Sequence, residues 1–96
     1  MGGKALVGYG DKIGVVDVRY LGEKARSMRA EVCMAFHKEP VKEAIADMAK
    51  DAGVELMQCD DPSEKAHARA SELREKGDDV LLRDLSELRD IMRDAF

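Results

Sequence analysis

The chain has 96 residues, 45% of them hydrophobic and 38% charged, with a formal net charge of −4. That length predicts a single domain over 1–96 with one modest core and little room for a deep pocket beside a catalytic apparatus. The apolar fraction excludes a disordered chain, and with only 4% aromatic residues and no Trp the core has to be aliphatic.

The N-terminus MGGKALVGYG lacks the apolar stretch of a signal peptide. No run approaches the roughly 18 apolar residues of a membrane span, and Leu6 stands where a myristoylation signal wants Ser or Thr. Cys33 and Cys59 form no CxxC or ligand-spaced pair and read as two buried, reduced thiols. The expectation is a cytoplasmic protein with no membrane contact.

In chain order, Lys4–Tyr9 and Lys12–Tyr20 are rich in β-formers, and Gly10-Asp11 between them suits a two-residue hairpin turn. Residues 21–29 (LGEKARSMR) place Leu21, Ala25 and Met28 at helical spacing and fit either one or two helical turns or an irregular crossover. Ala30–Phe36 is nearly all apolar, as in a strand buried on both faces. Pro40 then suits the first position of a helix whose apolar face is Val41, Ala44, Ile45, Met48, Ala49 and Ala52, with Gly53 as its stop.

The alternation repeats. Val54–Cys59 is the next strand, and Asp61, Pro62 and Glu64 supply an N-cap, a first-turn proline and a capping acid for a helix running to about Lys76 and stopping at Gly77. Val80–Leu82 is a short strand. Asp84 and Glu87 repeat the capping pattern ahead of a last helix faced by Leu85, Leu88, Ile91, Met92 and Phe96. The predicted fold is α/β: an N-terminal β-hairpin followed by βαβαβα, in a mixed, mostly parallel sheet of about five strands with three main helices.

In such a sheet ligands bind outside the carboxyl ends of the strands. Those ends carry His37-Lys38, Cys59-Asp60-Asp61 and Arg83-Asp84. Capping accounts for Asp61 and Asp84, and a turn position accounts for His37. Lys38 reads as a solvated charge, His67 as a solvent-facing helix residue. Asp60 has no such explanation. Cys59 lies near a helix N-terminus that would acidify it. Gly8-x-Gly10-x-x-x-Gly14 misses the spacing of the dinucleotide fingerprint and falls inside the expected hairpin rather than between a strand and a helix. No Walker loop, HExxH, GxSxG or zinc spacing occurs, and no nucleophile–base pair is evident.

Two charge features remain. Residues 1–38 hold seven Lys/Arg and four Asp/Glu, whereas residues 39–96 hold nine and sixteen. In the basic part Lys24, Arg26 and Arg29 cluster, a potential phosphate or nucleic-acid contact without interleaved aromatics. On the first long helix Glu39, Glu43, Asp47 and Asp51 recur every four residues as an acidic stripe, flanked by Lys42 and Lys50. Like charges at this spacing repel by a few tenths of a kcal/mol each, which a cationic partner would relieve.

The leading expectation is therefore a non-catalytic binding or regulatory module, with no cofactor and no metal, acting on a protein partner or a second copy of itself. The alternative is a phosphate-bearing small ligand at the strand-end rim, with or without Mg²⁺-assisted chemistry, the cations His37 and Lys38 on phosphate and the acids Asp60 and Asp84 on metal. Nucleic acid is the least favoured partner, because the chain as a whole is acidic.

Overall fold

Lys4–Tyr9 forms the first strand, β1, and its residues Ala5, Leu6, Val7 and Gly8 are all buried. A strand covered on both faces needs a helical layer on each side of its sheet. The computed structural model, which describes residues 2–87, supplies both layers. After β1 come α1 (Val15–Met28), β2 (Val32–His37), α2 (Glu43–Ala52), β3 (Glu55–Gln58), α3 (Pro62–Glu75) and β4 (Asp79–Asp84). A further helical turn opens at Leu85. The expected last-helix face at Leu88, Ile91, Met92 and Phe96 lies outside the described residues, as does Met1.

The sheet has four strands in the order β3-β2-β1-β4, and every pairing is parallel. In the register, Val7 of β1 lies opposite Met34 of β2 on one side and Leu82 of β4 on the other. Alternation along the strands then divides the core in two. Leu6 and Ala35 pack with Val18, Leu21, Ala49, Val54 and Leu85 on the α1/α2 side. Ala5, Val7, Met34, Phe36 and Val80 pack with Ala66, Ala70 and Leu73 on the α3 side.

The N-terminal hairpin is not present. Residues 15–20, expected in its second strand, begin α1, and residues 21–28 continue the same helix. The buried positions Asp17, Val18 and Leu21, with Ala25 and Met28 half-buried, recur with helical period, while Val15 and Val16 stand exposed. Local β-propensity is overridden by tertiary context. β1 takes β2 as a parallel neighbour, and a parallel pair needs a crossover of a dozen or more residues, usually a helix. Among the described residues the sheet is accordingly all-parallel rather than mixed, with four strands instead of about five and a helical segment more than the three expected.

The later boundaries follow local signals more closely. Gly53 ends α2 in the left-handed region at φ 77°, its N–H donating to the carbonyls of Ala49 and Lys50. Asp61 caps α3, Oδ1 accepting from the Glu64 N–H at 3.2 Å, with Pro62 in the first turn. The helix expected at Pro40 begins instead at Glu43, after an extended Lys42, and Pro40 belongs to the preceding loop. Among the described residues, no helix is long and apolar enough to cross a membrane.

Candidate functional site

The chain passes from β1 to β2 to β3 in one direction and then returns to place β4 on the other side of β1. That reversal lies between β1 and β4, and in an open α/β sheet the carboxyl ends of the strands at such a point are where ligands bind. Here a cavity of about 430 Å³ is floored by Tyr9 and Gly10. Asp11, Lys12, Glu39, Asp61, Ser63, Asp84 and Ser86 also line it.

Backbone hydrogen bonds hold the β1–α1 loop. The Gly10 N–H donates to the Phe36 carbonyl at 3.1 Å, and the N–H groups of Lys38 and Glu39 both donate to the Asp11 carbonyl, at 3.1 and 2.9 Å. His37 is 3% exposed, and its Nδ1–H donates to the Glu39 carbonyl at 2.7 Å, so that imidazole braces the β2–α2 loop. Gly8-x-Gly10-x-x-x-Gly14 thus spans a strand, a loop and a helix start, the context the hairpin expectation denied it. The sterically constrained member is Gly8, where an added Cβ would lie 3.1 Å from Leu21 Cδ2 and 3.3 Å from Leu85 Cδ1. Gly14, at φ −124°, sits in extended backbone open to any residue.

Carboxylates dominate the rim, and several have work within the fold. Asp17 is fully buried and its Oδ2 accepts the Gly14 N–H at 2.8 Å, which places an anion at the positive end of α1. Asp84 Oδ1 accepts from the Ser86 N–H at 3.0 Å and from the Ser86 hydroxyl at 2.6 Å. Glu39 lies 3.8 Å from the Lys12 ammonium, an exposed pair worth about 0–1 kcal/mol. The two that line the cavity, Asp84 and Glu39, keep lone pairs able to accept from a ligand hydroxyl or amine. Burial pushes the Tyr9 phenol above its ordinary value, reinforced by the negative charges of Asp84 and Glu87 and opposed by a hydrogen bond with Ser63.

Of the candidate binding residues read from sequence, Asp84 and Glu39 line this cavity, beside Gly10 and the capping Asp61 and Pro62. His37 borders a separate cavity of about 480 Å³ on the α2 side, with Val41, Ala49 and Leu56. Lys38 is exposed, its carbonyl accepting from Gln58 Nε2 at 3.1 Å. Asp60 is exposed and lines neither cavity. The four rim residues His37, Lys38, Asp60 and Asp84 therefore share no single cavity. Glu43, Asp47 and Asp51 are exposed on α2, Arg26 and Arg29 are exposed at the end of α1, and Lys24 is half-buried. Cys59 is not acidified. Burial raises its thiol, outweighing the Asp61 backbone hydrogen bond and the Lys65 charge that lower it.

Tyr9, Asp11, Lys12, Ser63 and Ser86 are the lining residues that sequence reasoning missed. Once 10–14 is read as a strand-to-helix loop, the end of β1 becomes part of the rim, and that was the signal available. Among the described residues no group of three or more His, Cys, Asp or Glu side chains is placed to hold a metal ion. No protein-family model, no curated protein and no solved structure matches the chain.

Proposed function

We propose that this domain binds a phosphate-bearing, hydroxyl-rich small molecule of the nucleotide class in the crevice at the carboxyl ends of β1 and β4. The observation that carries the reading is the coincidence of the sheet's reversal point with the cavity of about 430 Å³ beside the β1–α1 loop. Its donors are the Lys12 ammonium and the Ser63 hydroxyl, suited to a phosphate. Its free acceptor capacity lies on Asp11 and Glu39, suited to a sugar diol. The carboxylates also explain why a bare anion is a poor fit, since a phosphate without hydroxyls would meet four acids and one lysine. In this reading Asp84, engaged with Ser86, shapes the cavity.

A thermal-shift panel of AMP, ADP and sugar phosphates, each with and without Mg²⁺, tests this. A nucleotide at a hundred times its dissociation constant adds about 2.7 kcal/mol to stability, and Lys12→Ala reduces that shift. A flat response to every nucleotide at millimolar concentration refutes the reading.

A second reading, contact between two copies, draws on one arrangement. The acidic Glu43, Asp47 and Asp51 and the basic Arg26 and Arg29 are exposed on adjacent helices of one layer. Among the described residues no ion pair within 4.0 Å joins the two groups. Sedimentation at low and high salt checks it: association that weakens with salt supports it, and a monomer at low salt and high concentration removes it.

A further inference from the structure

We infer that the site is bipartite and takes a dinucleotide, with a second planar ring seated beside the end of β4. This rests on the nucleotide reading above and deepens it.

A second cavity, of about 340 Å³, adjoins the first and shares Tyr9 and Asp84 with it. Its other described lining residues are Tyr20, His67, Leu82, Arg83 and Glu87. The chain contains only two tyrosines and two histidines, and both tyrosines and one histidine meet at this cavity. Such a concentration in a domain whose core holds Phe36 among aliphatic residues is the feature that calls for a ligand with a ring. The Tyr9 and His67 rings lie 5.5 Å apart at 55°, an arrangement within the ordinary range of aromatic pairs. His67 is held in place by its Nδ1–H, which donates to the Ser63 carbonyl at 2.7 Å. His67 is exposed, which leaves its imidazole accessible to a further ring.

The polar groups divide in the way a two-part ligand requires. Lys12 is the cation of the first cavity and Arg83 the cation of the second, so a phosphate linkage running between the cavities passes between two positive side chains. The carboxylates of Asp84 and Glu87 in the second cavity accept hydrogen bonds from the N–H groups of a carboxamide or a ring imide. A mononucleotide fills only the first cavity. Volumes of about 430 and 340 Å³ each fall in the usual range of small-molecule sites.

The experiment is isothermal titration of the full chain with ADP, NAD⁺ and FAD, ADP being the half common to the other two. The inference expects NAD⁺ or FAD to bind at least tenfold tighter than ADP. It expects His67→Ala and Glu87→Ala to reduce that advantage at least fivefold while leaving ADP affinity unchanged. Both side chains are exposed, and circular dichroism confirms that the variants fold. If ADP binds and neither dinucleotide binds tighter, the bipartite site is overturned while the nucleotide reading stands. If the variants weaken ADP as much as the dinucleotide, the second cavity is not a separate subsite and the inference fails. If none of the three binds, both readings fall.

Discussion

The two faces of the sheet solve the same packing problem in opposite ways. On the α1/α2 face the strands contribute Leu6 beside the small Gly8 and Ala35, and the helical side adds Val18 and Leu21 of α1 and Leu85, all buried. On the α3 face the strands supply Val7, Met34, Phe36 and Val80, and the helix answers with Ala66 and Ala70. The difference lies in the helices: α1 covers its face with Val18 and Leu21, whereas α3 covers the opposite face mainly with alanines. Interiors packed to crystal-like density permit either arrangement. The functional consequence lies at the rim. Because α3 meets the sheet through alanines, its first turn, with Ser63 and then His67, borders the β1 end closely enough for Tyr9 and His67 to touch.

Substitutions that add or remove volume test this comparison. Leu21→Ala, at a fully buried position, is expected to lower unfolding free energy by about 2–5 kcal/mol in urea denaturation; a loss under 1 kcal/mol would mean that the α1 face is not the bulky partner. Ala70→Leu, equally buried on the opposite face, is expected to destabilise by about 1–3 kcal/mol through overpacking, and a neutral result would show slack under α3. Asp61→Ala removes the α3 cap and is expected to cost about 0.5–2 kcal/mol. A thermal melt that leaves stability unaltered would remove the cap from the account of how α3 is held at the rim.

The smallest effect concerns Cys33, on the α1/α2 side of β2. Burial pushes its thiol up to about 11 from an ordinary value of 9.0, and its Sγ lies 3.7 Å from the Leu21 carbonyl. Between those two values the unfolded chain gives up the thiol proton while the folded chain keeps it, so this group's contribution to stability is complete below pH 9 and is lost as pH rises toward 11. The fall in stability over that window should be shallower for Cys33→Ala than for the parent chain. Identical slopes in denaturant titrations at both ends of the window would show that Cys33 does not contribute.

How much of this was legible in the sequence depends on where each signal is stored. Gly53 and Asp61-Pro62 act on their own helix ends through local backbone geometry and capping, so their roles can be read within a few residues. The apolar run 32–36 announces a strand covered on both sides, because no half-exposed element tolerates it. Residues 12–20 carry β-branched Ile13, Val15, Val16 and Val18, which favour a strand locally. Their helical pattern becomes visible only once Val15 and Val16 are known to be 43% exposed and Asp17 fully buried. A buried aspartate is the last residue that a hydrophobicity pattern would assign to a core.

The same division holds for the site. Strand–helix alternation, by itself, pointed to the carboxyl edge of a parallel sheet as the place for a candidate site, since each helix starts there. Tertiary structure decided which edge residues face one another, because strand order is set by pairings between segments far apart in the chain. Sequence spacing places His37, Asp60 and Asp84 on one rim, and the fold sends His37 inward to brace a loop, leaves Asp60 in solvent and turns Asp84 to the crevice. Tyr9 and His67 stand 58 residues apart in the sequence and meet only because the chain reverses around β1, an event no local propensity encodes.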